Sequence, residues 1–116
     1  NPSLVFKDES DKTFALKLFR NTINNNKEYE QIIVRFSKNW EIDRIAIMDQ
    51  LFLKMAFAEI LSMQDLPIKV SMNEYIEISK YYGSAKSKLF VNGLLDNAVK
   101  TFTKEGKIKK VGRGLV

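Results

Sequence analysis

Between Val91 and Phe102 the apolar residues Val91, Leu94, Leu95, Ala98 and Phe102 recur at intervals of three and four. That spacing gathers all five on one face of an α-helix, whereas a strand would scatter them over both of its faces. The same rhythm runs through the rest of the chain. Phe14, Ala15, Leu18, Phe19 and Thr22 follow it from Asp11 onward, and Tyr29, Ile32, Ile33 and Phe36 resume it. Leu53, Ala56, Phe57 and Ile60 form a further stripe, and Met72, Tyr75, Ile76 and Ser79 a shorter one. No segment keeps a period of two, so the pattern predicts an all-α protein, a compact bundle of about five helices.

Helix boundaries are written into the sequence between these stripes. Asp8 or Ser10 is placed to cap the first helix. Asn24-Asn25-Asn26 interrupts it, because asparagine is a poor interior residue, and predicts either two helices or one long helix with a local irregularity. Trp40 to Met48 leads into the next helix, with Asp49 as a cap or first-turn acid, and Pro67 follows soon after that helix ends. Ser71 and Glu74 have the spacing of a capping box, each side chain satisfying the other residue's backbone N–H. Gly83 and Gly106 suit helix C-termini, and Ser84 or Ser87 suits the start of the last helix. Residues 107–116 are expected to fray. Gly93 breaks the local rules, since glycine inside a helix costs about 1 kcal/mol against alanine. The expectation is that a neighbouring backbone packs closely against it, while Asn92 offers a polar group at the surface.

Size and chemistry narrow the function. The 116 residues fit one domain, here 1–116 with 104–116 as a basic tail. The chain has no cysteine and no histidine, which removes disulfides, thiolate chemistry, the usual general base and the commonest metal ligand. Neither the pair Asp43 and Asp49 nor the pair Glu74 and Glu77 makes a convincing catalytic dyad, and Gly112 and Gly114 are too terminal to cradle a phosphate. The expectation is a non-enzyme with no cofactor and no metal, in the cytoplasm. No run reaches the length of a membrane helix.

The net charge of +5 is unevenly placed. Residues 84–116 carry eight lysines and arginines against Asp96 and Glu105, and the remainder is close to neutral. Such a segment attracts phosphate backbones. Within it, Lys86, Ser87 and Lys88 offer two ammonium groups and a hydroxyl beside helix N–H groups, and Phe90 offers a ring on which an unpaired base can stack.

One further pattern is specific. Pro67 leads into Met72-Asn73-Glu74-Tyr75-Ile76-Glu77-Ile78-Ser79-Lys80-Tyr81-Tyr82-Gly83, Ser87 follows, and then comes Phe90-Val91-Asn92-Gly93-Leu94-Leu95-Asp96. This resembles the C-terminal signature of the NusB family of bacterial transcription antitermination factors. There a proline-led turn precedes INEAxELAKxFG, a serine-containing loop follows, and FVNGxLD opens the next helix. Trp40-Glu41-Ile42-Asp43-Arg44-Ile45-Ala46 is also similar to the family. The resemblance covers about 11–103 and is most specific over 65–96.

It implies an all-helical RNA-binding factor that acts on boxA-type single-stranded RNA with a small-subunit ribosomal protein during rRNA transcription. Carried over residue by residue, it implies RNA contacts at Lys86, Ser87, Lys88, Phe90 and Asn92. It puts the protein partner against exposed Asp49, Lys54 and Glu74. The family's arginine-rich segment has no counterpart before Phe14, so the chain looks like the C-terminal subdomain. Lys86 also replaces a position that is commonly acidic. Two alternatives remain: an accessory domain of an rRNA cytosine methyltransferase, which shares this helical fold, and a protein-interaction module without an RNA role.

Overall fold

The computed structural model describes residues 9–37, 45–62 and 85–108. They form four helices: α1 (Glu9–Asn24), α2 (Asn26–Ser37), α3 (Ile47–Phe57) and α4 (Ala85–Lys104). α3 runs on into a π-helical turn, Ala58–Ser62. The all-α expectation is met, with no strand among the described residues. The helix expected around the capping box of Ser71 and Glu74, together with Gly83, lies outside those residues.

The three asparagines divide the first region into two helices at Asn25. The Asn25 side-chain amide donates to the Asn21 carbonyl at 3.1 Å and competes with the backbone there. Backbone N–H groups still bridge the break, from Asn25 to Asn21 at 3.1 Å and from Tyr29 to Asn25 at 3.0 Å. Ser10 is the second residue of α1.

α3 is the hub. It packs against α1, α2 and α4, and its π-helical end packs against α1. Its composition explains the position, because Phe52, Leu53, Ala56 and Phe57 are all buried and a helix apolar around most of its circumference belongs inside. Tyr29, Ile33, Leu53, Ala56, Phe57, Val91 and Ala98 are sealed from solvent at the meeting of α2, α3 and α4. All five residues of the opening stripe, Val91, Leu94, Leu95, Ala98 and Phe102, are in that core. The Tyr29 hydroxyl reaches out of it to share a 2.7 Å hydrogen bond with Ser62 Oγ, which ties α2 to the π-helical turn.

α4 ends in a Schellman motif. Lys107 N–H donates to the Phe102 carbonyl at 2.9 Å and Gly106 N–H to that of Thr103 at 3.1 Å. Gly106 has φ +76°, the left-handed conformation that favours glycine. Beyond the turn Ile108 is buried, so the chain folds back on the core at a point where fraying was expected. The ammonium of Lys107 sits 5.2 Å above the Phe102 ring.

Candidate nucleic-acid interface

The basic residues proposed for RNA contact are carried by the first turns of α4, not by a loop, since the helix begins at Ala85. Ser87 is therefore two residues inside the helix and does not cap it. Its hydroxyl donates instead to the carboxylate of Asp49 in the first turn of α3. Asp49 is only 6% exposed, which corrects its assignment as a surface residue for a protein partner. Burial pushes its carboxyl above the ordinary 3.8, and the Ser87 hydroxyl draws it part of the way back. The bond joins the first turns of two helices, where a carboxylate is also favoured by the α3 dipole.

Around this latch, Lys86 is exposed and Lys88 half-buried. Asn92 is exposed one turn further along, as expected. Phe90 is half-buried and packs partly against the core, so only part of its ring is available to a base. Lys54 lies on α3, with its ammonium 3.4 Å from Glu30 of α2. It borders an apolar groove of about 380 Å³ between α1 and α3, lined also by Phe19, Ile23, Ile47 and Leu51. Phe19, placed on the core stripe by spacing, is 55% exposed there. Glu74 lies outside the described residues.

Gly93 departs from expectation. A Cβ built at this position meets nothing within 4 Å, so no neighbouring part of the described chain needs the glycine. The residue faces solvent.

Spacing gave no hint of Arg35. Its guanidinium pairs with Glu105 at 2.7 Å, 70 residues away, and stands over the rings of Phe36 and Phe102. The two rings meet edge to face at 5.4 Å. Arg35 holds the Glu105 carboxyl below its usual value. The adjoining groove of about 510 Å³ mixes Glu28 with Arg35 and Lys107, so it has no strong preference for an anion.

A model of the NusB family matches residues 5–100, most of the chain. The chain belongs to the NusB family. It is 42% identical over 110 residues to the transcription antitermination protein NusB of Salinibacter ruber, covering 95% of this chain and 69% of that protein. Against the NusB of Chloroherpeton thalassium it is 41% identical, covering 99% of this chain and 54% of the relative. The solved structure of T. maritima NusB superposes with a TM-score of 0.71 at 35% identity, over 80% of this chain and 66% of that one. The chain thus spans between about half and about two thirds of these NusB proteins. Among the described residues no helix is long and apolar enough to cross a membrane.

The Asp49 carboxyl makes stability depend on pH in a defined direction. A carboxyl whose folded pKa is raised holds its proton more tightly in the fold than in the unfolded chain. Its ionisation therefore weakens the fold as pH rises above the ordinary 3.8 and through the raised value. Asp49→Asn does not titrate, and its amide oxygen can still accept from Ser87. The variant should gain on the parent in thermal melts between pH 4 and pH 7. An offset between the two proteins that stays constant across that range would disprove the linkage.

Proposed function

We propose that this chain contributes to transcription antitermination, as its NusB relatives are named to do, by binding single-stranded boxA-type RNA together with a small-subunit ribosomal protein. It carries out no catalysis in this role and works in the cytoplasm. Its 116 residues act as one helical domain. The observation that carries the RNA reading is the Asp49–Ser87 latch. It joins the first turn of α4 to α3, so that Lys86 and Lys88 stand on a helix that packs against its neighbours. Ammonium groups carried on a formed helix can meet phosphates with less backbone ordering than groups on a loop. Phe90 adds its accessible edge and Asn92 a polar side chain one turn along. On the protein side, Lys54 at the α1–α3 groove remains the candidate contact, and buried Asp49 acts as a support for the RNA surface.

The test is a fluorescence anisotropy titration with labelled single-stranded RNA over a series of salt concentrations. The parent should bind, and binding should weaken with salt. Each phosphate contact removed flattens the logarithmic salt slope by about 0.7 for a single strand. Lys86→Ala with Lys88→Ala should therefore lower affinity and flatten the slope by about 1.4 if both lysines touch phosphate. Unchanged binding by the double variant at low salt would remove the first turn of α4 from the interface.

A further inference from the structure

The outer face of α4 is a stripe that extends the length of the helix. Lys86, Leu89, Gly93, Asp96, Lys100 and Lys104 are exposed at successive intervals of three or four, with Asn97 beside them, opposite the buried Val91, Leu94, Leu95, Ala98 and Phe102. At 1.5 Å per residue, Lys86 and Lys104 are about 27 Å apart along the axis. Three lysines and one aspartate leave the stripe positive. Asp96 and Lys100 pair at 3.1 Å with both side chains well exposed, so the pair is weak and its lysine can be drawn to another anion. Halfway along, Gly93 leaves a gap in the stripe between Leu89 and Asp96, and nothing in the described protein occupies the space. Leu89, 72% exposed, borders that gap one turn earlier.

We infer that this outer face of α4 is a track for the sugar–phosphate backbone of single-stranded RNA, which leaves the first turn at Lys86, crosses the helix at Gly93 and continues to Lys100 and Lys104. The inference rests on the RNA reading above and lengthens it by four helical turns. Charge decides the occupant. A partner helix crossing at a glycine would want small apolar neighbours, but here Gly93 is followed on the same face by Asp96 and Asn97, and the stripe as a whole carries Lys86, Lys100 and Lys104 against the single acid, a balance that suits phosphates. The absent side chain lets the strand approach the helix axis, and Leu89 gives an unpaired base an apolar surface to lie on. Recognition of this kind follows the backbone and tolerates changes of base.

The experiment uses the full chain and labelled oligouridylate, titrated over a series of potassium chloride concentrations. Gly93→Leu changes no charge and places a side chain in the gap, so affinity should fall about tenfold. Gly93→Ala should raise the melting temperature by several degrees and weaken binding only slightly, because it adds one methyl in open space to a helix. Lys100→Ala and Lys104→Ala should each flatten the salt slope by about 0.7. Asp96→Asn should tighten binding and steepen the slope, a gain that partial unfolding cannot imitate. If Gly93→Leu and Lys100→Ala bind like the parent while the Lys86 and Lys88 double variant is weakened, RNA stops at the first turn. In that case the track is refuted and the proposed function stands. If Gly93→Leu keeps its RNA affinity but loses a complex with the small ribosomal protein, the face docks protein and the inference is overturned. If the parent itself fails to bind at low salt, both readings fall together.

Discussion

Replacing Phe102 by alanine should destabilise the protein by about 3–5 kcal/mol, a large share of the 5–15 kcal/mol that holds a domain of this size together. Phe102 is 2% exposed and is the last residue of the core stripe on α4. Its loss opens a cavity between α2 and α4 and removes three further contacts at once. Phe36 loses its edge-to-face partner, and the cations of Arg35 and Lys107 lose the ring beneath them. The Schellman turn depends on the Phe102 carbonyl, which remains, so the helix end should persist while the packing around it loosens. Chemical denaturation monitored by circular dichroism gives the number. Phe102→Leu should lose clearly less, because it refills most of the volume. A Phe102→Ala variant within about 1 kcal/mol of the parent would show that the ring is not the joint between α2 and α4.

Ser87→Ala should cost about 1–3 kcal/mol, more than the surface position of a typical serine would suggest. The hydroxyl donates to the Asp49 carboxylate, and deleting it leaves a charged group buried with one donor fewer. The Asp49 carboxyl should rise further, so the loss should grow from acid toward neutral pH. Asp49→Asn in the same background should recover part of it, because the charge that needed the donor has gone. A double-mutant cycle over the two positions should return a coupling of about 0.5–3 kcal/mol. Additive single effects, within a few tenths of a kcal/mol, would mean that the two first turns are not latched together. RNA affinity should fall with Ser87→Ala even though no charge is lost, since Lys86 and Lys88 then stand on a looser turn.

The resemblance at Pro67 to Asp96 led to the NusB family, and the comparisons bear it out. Within the described residues the stripes at Phe14 and Leu18, at Tyr29 and Ile33, at Leu53 to Phe57 and at Val91 to Phe102 all turned inward. The interruption at Asn25 and the stop at Gly106 are where local chemistry put them. These features depend on residues three or four apart, and such distances are set by the helix itself.

What the chain does not encode locally is which groups meet across the bundle. Asp49 is a plain first-turn acid until α4 brings Ser87 to it and buries it. Arg35 and Glu105 are 70 residues apart and pair only when α2 lies against the end of α4. Phe19 has the spacing of a core residue, yet α1 turns that side toward the open groove beside Ile47. Gly93 is the sharpest case. Spacing alone suggested a close internal neighbour, and only the packing of α4 places the residue in open space on the basic side. Periodicity assigns each side chain to a face of its own helix. Which face becomes interior depends on how the helices pack together, and so on contacts between residues far apart in the chain.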